Sequence, residues 1–535
     1  MNTETKKNIP ADGWAGLKEN FSKDALSGFL VFLLAMPLSL GIAKASGFPM
    51  FFGLVTAIIG GVVVSFFMGS KLSIKGPAAG LIVIANGAVV AFGDGEIGWH
   101  LALGAIVVAG LVQIGFGMLK LGRLADFFPS AAIHGMLAAI GVIIMAKQLH
   151  LLLGIDPSLL KGKEPLELLS MLPSSIMNEN AHMAEIGISC LLILIIMSFV
   201  KNKKIKQIPA PLVVLLVSIP LGFILHIKTD PAISNYALVK IGSISEAFKG
   251  GIINVDFSGM ISRPGTFVQY VILFALIGSI ESLLTAKALD GMDPYKRKTD
   301  FNKDLVSVGI GNTLSGILGG LPMISEVARS SANVNNGART RWANFFHGLF
   351  LLLALAFAVQ FIEMIPNVAL AAMLIFVGFK LTHPKEYIHM WKIGKEQFLV
   401  FTVTVLVTVA TDLLIGVGTG ILLELLINFA SGLKIRELFK SDIRIEEEGD
   451  KYRVTIGGSL SFSNILSLKE ELGTIPEGKH VVIDASGAKL IDHTSMVLIL
   501  NFLEEYKDSG EIHFIGLDRH TSNGTAATST QILKV

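Results

Sequence analysis

One acidic side chain stands inside one of the most apolar stretches of the chain. Glu281 lies in the segment VILFALIGSIESLLTA, and Thr285 follows one helical turn later on the same face. Burial disfavours a charged carboxylate, and a bound proton or cation would relieve that cost. Glu281 and Thr285 are therefore a candidate coupling site for H⁺ or Na⁺. The alternative is that Glu281 is a permanent hydrogen-bonded strut between helices.

A second pair of charges, Glu326 and Arg329, lies three residues apart and so shares one helical face. A charged residue at membrane depth costs roughly 2.5–3.5 kcal/mol on insertion scales, so it usually faces a cavity or a partner. We expect Arg329 either to add positive potential to an anion site or to act only as the structural partner of Glu326. Glu326 is the second candidate for a coupling residue.

Glycine and proline interrupt two short apolar segments, GSKLSIKGPAAG at 69–80 and GGLPMISEVARS at 319–330. A half-helix that restarts after such a break has free backbone N–H groups, and its dipole places about half a positive charge there. Two such ends facing each other form an anion site without a dedicated cation. The alternative is that both breaks are only tight turns between full spans.

These features belong to a chain that largely avoids water. Of its 535 residues, 52% are hydrophobic and 16% are charged, against about 25% charged in ordinary soluble proteins. Cys190 is the one cysteine, which excludes a disulfide framework, and no Cys/His spacing indicates zinc. The sequence has no nucleophile–base pair, so no enzyme is expected. No cofactor is expected beyond the coupling ion. A net charge of +2 gives no indication of a nucleic-acid partner, and none is expected.

Apolar runs of about 20 residues, or fewer where a segment is broken, predict spans through a lipid bilayer. Fourteen are predicted, at 26–45, 51–68, 77–92, 101–119, 129–147, 184–200, 209–226, 265–286, 303–319, 324–336, 343–363, 367–380, 397–412 and 414–431. We therefore expect a cytoplasmic N-terminal segment at 1–24, a transmembrane anion transporter domain at 25–433 and a small soluble domain at 434–535.

Basic residues predict the orientation of these spans. Lysine and arginine collect in the loops after even-numbered spans, among them Lys71, Lys75, Arg123 and the cluster at 201–206. The short loops after odd-numbered spans, such as 92–100, hold none. By the positive-inside rule both termini are cytoplasmic, in an inner or plasma membrane.

The spanning region contains a weak internal repeat. SLGIAKA at 39–45 is similar to SLLTAKA at 282–288, an offset of 243 residues, and Gly76-Pro77 corresponds to Leu321-Pro322 at an offset of 245. Because seven spans separate the copies, the second copy must be inverted. Interrupted segments at matching places in inverted halves indicate the binding site of a transporter.

The tail has a different pattern. Residues 452–463, 480–485 and 511–517 have strand character, and 464–472 and 494–506 have helical apolar spacing. This pattern predicts a small α/β domain, and the short Ser/Thr-rich stretch after Leu517 leaves its last helices in question.

Several of these segments together resemble the SulP family of anion transporters. The similarity lies in LAMPLSLGIAKASG, SIKGPAA, GSIESLLTAKAL and above all ISEVARSSANVNNGART at 324–340, while VVIDASGAKLIDHTSM at 481–496 resembles a STAS domain. The resemblance covers nearly the whole chain in the family's order. It implies an α-helical polytopic fold of seven-plus-seven inverted repeats, with core and gate subdomains, an elevator-like movement and a homodimer.

The resemblance also implies which residues form the site. The anion would lie between the N-termini of spans 3 and 10, flanked by spans 1 and 8. The implied substrate-binding residues are Leu38, Ile42, Ala78, Ala79, Ala328 and Arg329.

Some positions depart from the family pattern. Glu281 and Thr285 are similar to the sodium-binding pair of the bicarbonate-transporting branch, but that branch lacks the arginine found here at 329. Many members have glutamine at the position of Leu38 and an aromatic residue at that of Ile42. Small residues are usual where this chain has Glu326.

The STAS-like loop holds one candidate regulatory residue. Thr494 matches a position that is phosphorylated in related bacterial regulators. The alternative is that the loop only caps a helix through Asp492.

Together these observations predict a secondary transporter of an inorganic oxyanion, sulfate or bicarbonate, driven by a cation or by exchange. One alternative is a proton-coupled nucleobase or carboxylate importer of the same fold. The two membrane glutamates, Glu281 and Glu326, favour this alternative. The other is a membrane-anchored regulator with vestigial transport, whose STAS domain contacts a cytoplasmic protein.

Overall fold

The computed structural model describes residues 9–122, 128–202, 208–242, 255–476, 478–506 and 510–534. Fourteen helices match the predicted spans in order, and we number them accordingly. They are α1 Gly13–Ala45, α2 Met50–Ile58, α3 Ile82–Ala91, α4 Gly95–Met118, α5 Ser130–Leu152, α6 Ala181–Phe199, α7 Ala210–Ile224, α8 Pro264–Met292, α9 Phe301–Ile317, α10 Val327–Asn335, α11 Trp342–Phe357, α12 Asn367–Leu381, α13 Lys395–Ala410 and α14 Leu413–Ala430. Shorter or surface helices lie at Pro165–Met177, Gly259–Ser262, Val359–Ile362 and Pro384–Ile393.

The lengths of these helices agree with a membrane protein that contains interrupted spans. Seven helices in the described ranges are long and apolar enough to cross a membrane. Four shorter apolar helices comprise α3, α7, α11 and the run Met50–Phe66, in which α2 continues through a π turn and a 3₁₀ turn. Buried spans of this kind can be short because protein, rather than lipid, surrounds their ends.

The first helix begins well before the predicted span. Asp12 caps it by accepting a 2.8 Å hydrogen bond from the backbone N–H of Gly13. Further along, the buried Asp24 accepts hydrogen bonds from the backbone N–H groups of Arg339 and Thr340, at 2.7 and 3.2 Å. Part of the segment expected at 1–24 is therefore helical and continuous with the first span, because its polar side chains bind the turn after α10.

Two three-residue strands lie at the breaks in the chain. Strand β1, Lys75–Pro77, pairs antiparallel with β2, Met323–Ser325, and Gly76 lies opposite Ile324. β1 leads through a 3₁₀ turn at Ala79–Leu81 into α3, and β2 leads through Glu326 into α10. The breaks are therefore not simple turns between full spans, since each one is a strand followed by a half-helix.

The tail forms an α/β domain with a core of its own. The strands are β3 Asp442–Glu448, β4 Lys451–Leu460, β5 His480–Ile491, β6 Glu511–Ile515, β7 His520–Ser522 and β8 Gln531–Leu533, with helices α15 Ile465–Leu472 and α16 His493–Tyr506. The sheet order is β3-β4-β5-β8-β7, and β6 pairs with β5 in parallel. Valine and isoleucine from β4 and β5 pack against one face of α16. The predicted strands and helices are confirmed, whereas β3, β7 and β8 were not predicted.

The chain divides into two compact units. One contains the described residues of Met1–Gly122 and Val142–Lys380, and so includes β1, β2, α3, α8 and α10. The other contains those of Arg123–Gly141 and Leu381–Val535, and so includes α13, α14 and the tail domain. The predicted basic residues Arg123 and Lys203–Lys206 lie outside the described residues.

Candidate functional site

The two half-helices start at opposite ends of one short ladder, because the strands before them pair antiparallel. Beyond the β1–β2 ladder, the backbone N–H of Glu326 donates to the carbonyl of Ile74 at 3.0 Å. The backbone N–H of Ile74 in turn donates to Oγ of Ser330 at 2.8 Å. Each half-helix therefore begins immediately beyond the same two-stranded ladder, one on each side of it. Free N–H groups and the positive ends of two dipoles are brought into one region.

The motif ARSSANV supports this arrangement through its polar side chains. The buried Asn333 on α10 donates to the carbonyl of Leu72 at 2.8 Å and accepts a 2.7 Å hydrogen bond from Ser27 on α1. Together with Ser330, it fixes the segment that leads into β1. These side chains therefore position the backbone of the site.

Helix α8 contacts both half-helix starts. A Cβ atom added to Gly80 would lie 2.2 Å from Oε2 of Glu281, so the carboxylate packs directly on the first turn before α3. The adjacent Ser282 accepts a 3.1 Å hydrogen bond from the backbone N–H of Ser325 in β2. Glu281 is 8% exposed, and its Oε1 has no hydrogen-bond partner in the described part of the chain. Thr285 is buried one turn further along α8.

Glu326 caps the second half-helix. Its carboxylate oxygen accepts a 2.7 Å hydrogen bond from the backbone N–H of Arg329, in the first turn of α10. Its distance to Nε of Arg329 is 3.9 Å. The main contact of Glu326 is therefore with the helix terminus, and its contact with the guanidinium group is secondary.

Arg329 is fully buried, and Nε, Nη1 and Nη2 all lack a hydrogen-bond partner among the described residues. The guanidinium packs over β1, because a Cβ added to Gly76 would lie 2.7 Å from Nη1. The side chain of Arg329 therefore points into the ladder between the half-helices. Three donor nitrogens without acceptors in a buried guanidinium are costly, and a bound anion is one group that would satisfy them.

The remaining predicted binding residues fall into two groups. Leu38 and Ile42 are buried on α1, which contacts β1, α3 and α10. Ala78 and Ala79 are buried at the start of the first half-helix, whereas Ala328 is exposed in the first turn of α10. All six predicted substrate-binding residues therefore lie on elements that border the two half-helix starts.

A buried ion pair was missed by the sequence reasoning. Nζ of Lys75 in β1 lies 2.6 Å from Oδ2 of Asp304 on α9, and both residues are at most 1% exposed. Oδ1 of Asp304 also accepts hydrogen bonds from the backbone N–H groups of Gly69 and Ser70. Counting Lys75 among the loop residues that set orientation was wrong, because it is a core residue that ties α9 to the strand ladder. The signal was available, since each charge lies at the edge of an apolar run.

Thr494 lies in the first turn of α16, and Asp492, in the loop just before this helix, is fully buried. Asp492 caps α16 through the N–H of Ser495 at 2.8 Å and also accepts from Phe462 at 2.6 Å and from Asn428 at 3.4 Å. Burial raises the pKa of Asp492 to about 6. Oγ1 of Thr494 accepts a 3.3 Å hydrogen bond from the N–H of Ser130. The capping role of the loop is thus confirmed, and Thr494 is half-buried and engaged.

One further group could hold a metal ion. His480, Glu511 and His513 lie on the neighbouring strands β5 and β6, and their ligand atoms are within 4.8 Å of one another. Nε2 of His513 is 3.0 Å from Oε1 of Glu511, and Nε2 of His480 contacts the other oxygen. This exposed cluster is in the tail and includes none of the predicted site residues.

Interrupted helices at matching places in two inverted halves, joined by paired strands, define a membrane transporter built on an inverted repeat. The model of the sulfate permease family matches residues 21–404. The chain therefore belongs to the sulfate permease family. Its members are membrane transporters, which confirms the expectation that the chain is a multi-pass membrane protein and not an enzyme.

Relatives cover nearly the whole chain. YvdB of Bacillus subtilis (strain 168), named as a sulfate transporter, is 26% identical over 93% of this chain and 92% of its own. The bicarbonate transporter BicA of Picosynechococcus sp. is 25% identical over 93% of this chain and 89% of its own.

Solved structures have the same fold. The transmembrane domain of a cyanobacterial bicarbonate transporter BicA matches with a TM-score of 0.63 and 23% identity, over 75% of this chain and 97% of that one. The murine anion transporter Slc26a9, in an inward-facing state, matches with a TM-score of 0.65 and 15% identity over 96% and 90%. These likenesses confirm the predicted class of fold, a polytopic helical domain followed by an α/β tail.

Proposed function

We propose that the protein is a secondary transporter of a small inorganic anion, sulfate or bicarbonate, bound between the N-termini of α3 and α10. The observation that carries this proposal is the pairing of β1 with β2, which brings the two half-helix starts together. The guanidinium of Arg329 supports it, because this group is fully buried beside that ladder and its nitrogens have no hydrogen-bond partner among the described residues. Dipole ends and a buried guanidinium attract small anions without requiring a particular shape.

We propose that Glu281 is the coupling residue. It would bind either Na⁺, with the hydroxyl oxygen of Thr285 as a second ligand, or a proton on the carboxylate alone. The carboxylate packs on Gly80 at the start of α3, so a cation bound there would favour an anion close by. Linkage is reciprocal, and the two ions should raise each other's affinity by the same factor. Anion exchange without a cation is the alternative driving mode.

The test is radiolabelled anion uptake into proteoliposomes, with and without imposed Na⁺ or H⁺ gradients. Sulfate, bicarbonate, chloride and dicarboxylates are compared. Glu281→Gln mimics the protonated carboxylate, so we expect gradient-driven accumulation to be lost while exchange survives. The matched control is Glu185→Gln, because Glu185 is exposed on α6. Gradient-driven accumulation by Glu281→Gln equal to the parent, with the same pH and Na⁺ dependence, would show that Glu281 is a strut.

A proton-coupled carboxylate or nucleobase importer is the second candidate. The observation that favours it is that one glutamate lies at each half-helix start, Glu281 at Gly80 and Glu326 at the cap of α10. The same uptake screen separates the candidates, since uptake of a dicarboxylate or nucleobase without inorganic anion uptake would select this one. No uptake of any of these solutes would favour a membrane-anchored regulator.

Further features follow from the family membership as proposals. We infer a homodimer, an elevator-like movement, cytoplasmic termini, and a STAS tail domain that binds a cytoplasmic protein. Regulation through phosphorylation of Thr494 would place the phosphate on Oγ1, the oxygen that accepts the hydrogen bond from the N–H of Ser130. Replacement of Thr494 by Glu is the simple test, and unchanged uptake would argue against regulation there.

A further inference from the structure

The carboxylate of Glu326 already occupies one positive pole of the proposed anion site. It accepts the N–H of Arg329 at 2.7 Å in the first turn of α10, and its side chain is 15% exposed. The same carboxylate lies 3.9 Å from Nε of the buried Arg329, and Glu281 on α8 packs at the start of the other half-helix. An anion that binds between the half-helices must therefore share this region with a fixed negative charge.

The charges around the two helix starts can be counted. Glu326 contributes one negative charge and Arg329 one positive charge, the buried pair of Lys75 and Asp304 cancels, and Glu281 contributes none while it holds the coupling ion. The two half-helix dipoles add about half a positive charge each. The region thus carries about one positive charge when the coupling ion is bound at Glu281, which one monovalent anion neutralises, and it would carry about two without Glu326.

We propose that Glu326 sets the valence of the transported anion, so that the site accepts a monovalent anion of the bicarbonate class in preference to a dianion such as sulfate. This inference rests on the proposed function and narrows its substrate class. The Coulomb energy between two charges scales with their product, so Glu326 repels a dianion twice as strongly as a monoanion. The attraction by Arg329 and the dipoles also doubles for a dianion, so the balance between the two anions depends on the net charge of the region, which Glu326 lowers by one.

Removal of the charge should shift selectivity towards dianions whatever the state of Glu281. The shift is expected to be roughly tenfold or more in the ratio of the two dissociation constants, for charges a few ångströms apart in a partly screened site. Glu326→Ser removes the charge and keeps a side-chain oxygen that is favoured at a helix N-cap. Glu326→Gln removes the charge with little change of shape. A purely structural cap would not change the ratio, because serine restores the cap.

The experiment measures binding to the purified full-length protein, from the anion dependence of its thermal stability. Sodium sulfate and sodium bicarbonate are the probes, compared at matched Na⁺ concentration and ionic strength. Parent, Glu326→Ser, Glu326→Gln and the control Glu185→Gln are compared. We expect the parent to bind bicarbonate more tightly, both Glu326 variants to gain affinity for sulfate relative to bicarbonate, and the control to match the parent.

The outcomes separate this inference from the function on which it rests. A parent that binds sulfate more tightly than bicarbonate overturns the valence proposal and leaves anion transport intact. An unchanged ratio in Glu326→Ser, or equal gains for both anions, overturns it as well. A parent that binds neither anion, and takes up none in proteoliposomes, overturns the transport proposal itself.

Discussion

The two buried cations beside the half-helices, Lys75 and Arg329, differ in whether a partner satisfies them. Lys75 has a carboxylate partner at 2.6 Å and is a closed structural pair with Asp304. Arg329 has no hydrogen-bond partner in the described residues, and the nearest oxygen of Glu326 is 3.9 Å from its Nε. A buried charged group that is paired with an opposite charge indicates a structural role. A buried charged group whose hydrogen-bond donors have no acceptor indicates a ligand site.

Replacement of Lys75 should damage folding more than any specific step of transport. Lys75→Met leaves Asp304 buried without its cation, at a cost of roughly 3–5 kcal/mol. The thermal unfolding temperature of the Lys75→Met variant in detergent should fall well below that of the parent protein. Lys18→Met, at an exposed position of α1, is the control and should change little. Lys75→Met combined with Asp304→Leu should recover part of the loss, and no loss in the single variant would contradict the pair's structural role.

Replacement of Arg329 should act on the anion. Arg329→Ala should raise the KM for the transported anion or abolish uptake, while folded protein remains in the membrane, because no hydrogen bond among the described residues depends on the guanidinium. KM in proteoliposomes and the yield of folded protein are the two measurements. If Arg329 only neutralises Glu326, the double variant Arg329→Ala with Glu326→Ala would recover uptake. That recovery would rule out a role for Arg329 in binding.

At the scale of elements, the strand ladder and α8 act together. β1 and β2 hold the two half-helix starts, and α8 contacts the first through Glu281 and the second strand through Ser282. Gly80 has no Cβ, and this allows the Glu281 carboxylate to approach the backbone at the start of α3. The close approach is therefore a property of two elements and one glycine.

Gly80→Ala tests that approach. The added methyl group would lie 2.2 and 2.4 Å from the two carboxylate oxygens of Glu281, so the carboxylate or the turn must move. We expect cation dependence of uptake to be weakened or lost. Gly115→Ala on α4 is the matched control, because a Cβ there meets nothing within 4 Å. Unchanged coupling in Gly80→Ala would separate Glu281 from the coupling mechanism.

The elements themselves were largely predictable, and the contacts between them were not. Apolar run length indicated fourteen spans, and Gly-Pro breaks indicated the half-helices because both signals are local in sequence. The Lys75–Asp304 pair joins residues 229 positions apart, so the apolar run beside each charge indicates that it is buried but does not identify its partner. The strand ladder was missed for the same reason. The capping role of Glu326 is local and was missed because the sequence suggested a pair with the side chain of Arg329, whereas the carboxylate binds the backbone N–H of that residue. The extension of α1 to Gly13 depends on Asp24 binding Thr340, which is again a long-range contact.

At the scale of the whole molecule, the proposed orientation can be tested with single cysteines. Ile97 is 69% exposed at the start of α4, and Lys201 is exposed after α6. Ile97→Cys should react with an impermeant thiol reagent added outside intact cells, and Lys201→Cys should react only after permeabilisation. The parent is the blank, because Cys190 is buried. The reverse pattern of labelling would overturn the assignment of cytoplasmic termini.

The hydrogen bonds of the tail within its own compact unit affect how that unit unfolds. The N–H of Ser130 donates to Thr494, Asn428 donates to Asp492, and the N–H of Thr525 donates to the carbonyl of Lys392 at 2.8 Å. Helix ends of α5 and α14 and the helix Pro384–Ile393 thus share bonds with the sheet domain. Such shared bonds make melting cooperative, because losing the tail removes partners from all three helix ends. A chain cut before β3 would consequently lose heat resistance in α14 and in the helix Pro384–Ile393, although both remain in the chain.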